Sequence, residues 1–181
     1  MIARPVLRGF TFGLAGLVAA AVLLLLVWLL LRQLAMPRIS VFGRFGDSHD
    51  FVSIEQHPQA VEPQGVLILR PEQPLFFANA ESVMALVRQQ VEAHPRRHTV
   101  VLSLEESADL DSTALEALAD FAVWLSARDI TLRVARLKDV VRQLLERAAL
   151  PQLPPSALDF WSVEDAASAS VATPPTRGSG Q

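Results

Sequence analysis

The residues with the most chemistry in their types and spacing lie in "EESADLDSTALEALADF", Glu105 to Phe121, where Asp111-Ser112-Thr113 directly precedes an amphipathic run. Hydroxyls at such a place have two uses. They cap: Thr113 and Glu116 spell T-x-x-E, a capping box in which the hydroxyl takes the N3 amide and the carboxylate reaches back, with Ser112 the rival cap. Loss of such a cap costs about 1 kcal/mol. Or they act as a switch, because a helix N-terminus carries about half a positive charge and exposed amides, and so suits a phosphate or a docked partner.

Other groups offer less. His94 and His98 are four apart, a helical metal-ligand spacing, but Pro95 between them breaks that geometry. Glu105, Glu106, Asp109 and Asp111 are hard oxygen ligands of the kind Mg²⁺ prefers; their setting reads instead as a solvated strand-to-helix loop. There is no G-x-x-x-x-G-K-[ST], no G-x-G-x-x-G and no G-x-S-x-G. No catalytic residue, metal site or cofactor is expected, nucleotide binding is left open, and the chain does not read as an enzyme.

The elements that must position these residues alternate. Ile39 to Phe42 is a candidate edge strand, Gly65 to Arg70 ("GVLILR") a strand, and "LFF", Leu75 to Phe77, reads as its hairpin-like partner across "PEQP". Asn79 is a candidate N-cap for a helix from Ala80 to Ala93, ended by Pro95. "HTVVLSL", His98 to Leu104, is a short continuous apolar run, as in a central strand covered on both faces. Leu115, Leu118, Ala122 and Leu125 then recur at helical spacing, Ile130 to Ala135 alternates as a strand, and Asp139 to Ala148 is amphipathic again. A short strand near Leu158 to Trp161 completes the set. Strands alternating with helices predict an α/β layered domain with a partly parallel sheet.

The chain is 51% hydrophobic with a mean hydropathy of +0.31, and the excess is local. Gly9 to Leu31 contains no charged residue. At about 1.5 Å per residue such a run reaches roughly 34 Å, enough to cross a hydrocarbon core of about 30 Å. It is longer than a signal-peptide core and lacks an A-x-A cleavage pattern, so a membrane-spanning helix is expected. Arg4 and Arg8 before it and Arg32, Arg38 and Arg44 after it give too small a bias to fix orientation. A net charge of -3 excludes a strongly basic nucleic-acid surface, and nucleic acid is not an expected partner. With no cysteine, disulfides, zinc ribbons and thiol nucleophiles are excluded. The expected organisation is a flank over 1–8, a transmembrane helix over 9–32, a linker with an edge strand over 33–63, a folded domain over 64–166 and a disordered Ala/Ser/Thr/Pro/Gly tail over 167–181.

The stretch "LSLEESADLDSTALEALADFAVWLSARDITLRVARLKDVVRQLLERAAL" resembles the STAS domain, shared by sulfate-type transporters and anti-sigma factor antagonists. The upstream "ISVFGRF" and "PLFFANAE" are similar to the bacterial SulP branch, in which a last transmembrane helix leads through a linker into the domain. The resemblance runs from about Met36 to Asp165. It implies a mixed β-sheet flanked by helices, preceded by one transmembrane helix, with the domain on the cytoplasmic side of an inner or plasma membrane. In the anti-sigma antagonists the second hydroxyl of D-S-[ST]-G accepts a phosphate; that position is Thr113 here, with Ala114 in place of the glycine. The resemblance thus marks Asp111, Ser112 and Thr113 as a candidate phospho-acceptor or partner-binding site.

Two functions follow as expectations. One is a C-terminal, membrane-anchored STAS module of a SulP-type sulfate or anion transporter, serving assembly or regulation rather than complete transport. Its partners would be the membrane and a multi-span transporter subunit or further copies of the chain. The alternative is a free-standing, single-pass STAS signalling protein of the anti-sigma antagonist type, with a protein kinase or anti-sigma-type partner.

Overall fold

The structure is a computed structural model that describes residues 16–29, 37–46, 48 and 50–172. The chain divides into two units, Met1–Met36 and Pro37–Gln181. In the first, residues 16–29 form helix α1, whose Leu24 and Trp28 are exposed. Among the described residues no helix is long and apolar enough to cross a membrane. The two ends of the expected span, 9–15 and 30–32, lie outside the described residues.

The second unit is a sheet with helices on both faces. Its elements are β1 (Ile39–Arg44), β2 (Phe51–Ser53), β3 (Val66–Pro71), α2 (Ala80–Ala93), β4 (Thr99–Ser103), α3 (Ser112–Ser126), β5 (Thr131–Ala135), α4 (Asp139–Ala148), α5 (Pro155–Leu158) and α6 (Val163–Ala172). The five strands run in the order β2-β1-β3-β4-β5. The pairs β1–β2 and β1–β3 are antiparallel, whereas β3–β4 and β4–β5 are parallel. The expected mixed sheet flanked by helices is what forms.

Alternation along the strands divides the core in two, because successive side chains point to opposite faces. Leu67, Leu69, Val100, Leu102, Leu132 and Val134 join α2 and α3 through Val83, Val87, Leu118 and Phe121 in the larger cluster. Val66, Ile68, Val101 and Ala135 face the other way, onto Ala166 and Ala167 of α6. All of β4 is buried, as its unbroken apolar run predicts. Gly65 opens β3 at φ +72, and a Cβ there would come within 2.2 Å of His98 Nε2. Its carbonyl accepts from the amides of both His98 and Thr99, which sets the β3–β4 register.

Several expectations change. Leu75 to Phe77 is no hairpin partner of β3, which is already hydrogen-bonded on both sides by β1 and β4. The stretch read as a linker with an edge strand at Ile39 to Phe42 contributes two strands, so the folded unit begins near Pro37. β1 lies there, paired on both sides, and β2 lies beyond it at the edge. The strand near Leu158 to Trp161 is reduced to one bridge, Ala135 with Phe160. The tail read as disordered from 167 is helical to Ala172; the rest of it, 173–181, lies outside the described residues. Its small residues explain the misreading: Ala166, Ala167 and Ser170 are buried by close approach to the sheet, without the large apolar stripe that marks a helix in sequence. Arg133 of β5 holds α6 in place, donating to the carbonyls of Ala166 at 2.9 Å and Ala169 at 3.2 Å.

Candidate functional site

Asp111, Ser112 and Thr113 lie beyond the carboxyl ends of the parallel strands, where the loop after β4 turns into α3. The cap is neither hydroxyl. Asp111 holds the N-cap position with extended dihedrals, φ -77 and ψ 174, and its Oδ1 accepts from Ala114 N at 2.8 Å. The helix therefore starts two residues earlier than a T-x-x-E box requires, placing Ala114 rather than Glu116 at N3. A carboxylate is the stronger acceptor here, being charged and beside the positive end of the helix.

The same carboxylate has a second task. Its Oδ2 accepts from the amide of Phe77 at 2.6 Å, joining the β3–α2 loop to the start of α3. Beside it, Ser107 Oγ accepts from Leu75 N at 3.0 Å. Asn79 sits at the N-cap of α2 as expected, but its side chain ties the loop instead, accepting from Phe76 N and donating to Pro74 O. These contacts hold Phe77 outward, 72% exposed, next to the hydroxyls. Sequence reading placed Phe77 in a strand. A loop flanked by Pro74 and Asn79 was the signal for the turn that displays it.

Capping leaves both hydroxyls available. Ser112 is exposed and Thr113 half-buried, at one end of a groove between α2 and α3 shared with Glu81, Arg88, Glu116 and Asp120. Three carboxylates against one guanidinium make that groove acidic, so a phosphate on Thr113, adding about -1.5 to -2 charges, would meet repulsion along it.

The other acids of this loop separate. Asp109 accepts from Leu110 N, whereas Glu105 turns to the opposite side of the sheet edge, toward Arg136 at 2.5 Å and Arg70 at 3.6 Å. The hydrogen bond from Arg136 holds the Glu105 carboxyl below its usual 4.5, helped by the charges of Arg136, Arg70 and Lys138 and opposed by burial. A lowered pKa in the folded state contributes stability that is present above 4.5 and lost as pH falls through the folded value. Glu105→Gln is therefore expected to lower the thermal midpoint near neutral pH, with the gap from the native chain closing below pH 4.5. A constant gap from pH 7 to pH 3 would show that the ion pairs play no part.

The histidines do not converge. His94 Nδ1 lies against Gln90 O at 2.7 Å, and His98 Nδ1 lies 3.1 Å from Thr99 Oγ1. Among the described residues no group of three or more His, Cys, Asp or Glu could hold a metal ion.

A mixed sheet with paired helices on one face, and a loop cluster at the strand ends displaying hydroxyls and an aromatic ring, defines an α/β module with an exposed surface at the ends of its parallel strands. Residues 57–166 match the STAS domain family, and the chain belongs to it. It is 35% identical over 143 residues to a probable sulfate transporter of Mycobacterium tuberculosis (strain H37Rv), covering 78% of this chain and 25% of the relative. The chain thus spans about a quarter of the length of that relative. Among solved structures, the STAS domain of a SulP transporter from Vibrio cholerae superposes with a TM-score of 0.51 at 23% identity, over 66% of this chain and 91% of that one. The murine solute carrier 26 family member A9 anion transporter, in its inward-facing state, superposes with a TM-score of 0.66 at 21% identity, over 90% of this chain and 26% of that one. The domain is homologous to those of SulP sulfate transporters, and STAS is a domain of transporters rather than an enzyme family.

Proposed function

We propose that this chain is a membrane-anchored STAS module of a SulP-type sulfate or anion transporter, acting in assembly or regulation of transport and not as the transporting unit. The observation that carries this reading is the similarity to a sulfate transporter over 143 residues, joined to the uncharged run from Gly9 to Leu31. One apolar run cannot by itself build an alternating-access site, which needs repeated helical halves around a midplane pocket.

On this reading the N-terminal end of α3 is the surface that meets the transporter, with Phe77 as an apolar anchor and Ser112 and Thr113 beside it. Phosphate on Thr113 would make the acidic groove more anionic and release the partner. The domain lies on the cytoplasmic side, and no catalytic role is assigned to it.

Vesicles provide the test. Reconstituted alone, the chain is expected to give sulfate uptake no higher than empty vesicles. Added to vesicles holding a SulP-type membrane domain stripped of its own STAS domain, it is expected to change the uptake rate several-fold. Thr113→Glu should lose that change while keeping a thermal midpoint close to that of the native chain. Saturable uptake by the chain alone, or no effect on the stripped transporter, would overturn the proposal.

A further inference from the structure

On the α6 side of the sheet, at the carboxyl ends of β3, β4 and β5, lies a cleft of about 380 Å³. It is separate from the α3 end and shares no lining residue with the groove beside Thr113. Its floor carries two polar atoms that the protein leaves unpaired. Ser103, the last residue of β4, is 2% exposed, and its hydroxyl has no hydrogen-bond partner. Arg70 sits near the end of β3, one step past the Leu69–Leu102 pair, so it neighbours Ser103 across the parallel ladder. Its Nε is buried and equally unpaired, although its terminal nitrogens face Glu72 and Glu105.

An unpaired buried polar group costs roughly 1–3 kcal/mol, so two such donors side by side call for an acceptor. Water is one candidate occupant; a ligand oxygen is the other. The rest of the lining distinguishes them. Arg136 adds a second guanidinium, and Phe42, Ile68 and Val163 form an apolar wall, with Arg70 lying 4.6 Å over the Phe42 ring. Against the two guanidinium groups stand three carboxylates, those of Asp50, Glu105 and Glu164. That excess of negative charge repels a doubly charged anion about twice as strongly as a singly charged one. A single carboxylate would not need both cations, and a short hydrocarbon tail would cover the apolar wall.

We infer that this cleft binds a small monocarboxylate, its oxygens accepting from Ser103 Oγ and Arg70 Nε and its tail lying against Phe42, Ile68 and Val163. The inference does not depend on the transport reading, since it concerns another face of the domain.

The test uses the full chain in detergent micelles and ¹³C-labelled butyrate, read by isotope-filtered saturation-transfer NMR against empty micelles. Saturable transfer to butyrate is expected, with sulfate displacing it only at roughly tenfold higher concentration or more. Ser103→Ala, which removes a hydroxyl without a protein partner, should weaken butyrate binding about tenfold, as loss of a hydrogen bond to a charged group implies. Its thermal midpoint should be no lower than that of the native chain. No transfer above empty micelles would mean that water alone fills the cleft and would overturn the inference. Sulfate binding as tightly as butyrate would overturn the choice of ligand class, and unchanged binding in Ser103→Ala would overturn the site. The sulfate competition needs no variant, so it stands even where Ser103→Ala folds poorly.

Discussion

Removal of α6 is expected to abolish cooperative unfolding of the domain. A fragment from Pro37 to Ser162 keeps every strand and the whole of α2 and α3, yet it uncovers the second face of the sheet. Val66, Ile68 and Val101 are at most 1% exposed and pack, with Phe42 and Ala135, in the cluster that α6 completes. Opening these side chains to water costs on the order of 5–10 kcal/mol, taking about 1.5–3 kcal/mol for each large one. That is comparable to the whole net stability of an ordinary domain, about 5–15 kcal/mol. A fragment from Pro37 to Ala172 should melt in one transition by near-ultraviolet circular dichroism. The shorter one should show no such transition and should bind the dye ANS. A shared midpoint for the two fragments would mean that α6 is an accessory. Arg133→Met, which removes the two bonds to the Ala166 and Ala169 carbonyls and the guanidinium contact over the Phe160 ring, should give a partial version of the same defect.

The second large effect belongs to Asp111. Asp111→Ala strips the cap from α3 and frees two amides at once, those of Ala114 and Phe77. The cap contributes about 1 kcal/mol, and a hydrogen bond to a charged group about 1.5–3 kcal/mol. The sum, roughly 2–4 kcal/mol, should lower the thermal midpoint by roughly 10 °C in a domain of this size. Ser112→Ala and Thr113→Val touch neither bond and should stay within about 0.5 kcal/mol of the native chain, as ordinary surface substitutions do. The contrast decides what the hydroxyls are for. If Thr113→Val were as damaging as Asp111→Ala, the hydroxyl would be the cap after all, and a switch at Thr113 would have to break the helix it regulates. If only Asp111→Ala is damaging, structure and signal are divided between adjacent residues, and Thr113 can carry a charge without unfolding α3.

The sequence by itself determined the elements whose periodicity is strong. The all-apolar run before Leu104, the helical spacing from Leu115 to Leu125 and the alternation from Ile130 to Ala135 each matched an element, because each pattern records which faces must be buried. Resemblance carried in Asp111-Ser112-Thr113 and "PLFFANAE" was enough to reach the STAS family. Tertiary structure decided the rest. Only the sheet shows that β3 is filled on both sides, so that Leu75 to Phe77 has no strand to join and instead turns Phe77 outward. Only packing makes a helix of Val163–Ala172, whose alanines and serines have no apolar stripe of their own and gain burial from a flat sheet face. The cap on α3 passed from the hydroxyls to Asp111 for a reason 34 residues away along the chain: the Phe77 amide needs an acceptor, and only the carboxylate can serve it and Ala114 together. A motif records which groups could bond. Distance in space decides which of them do.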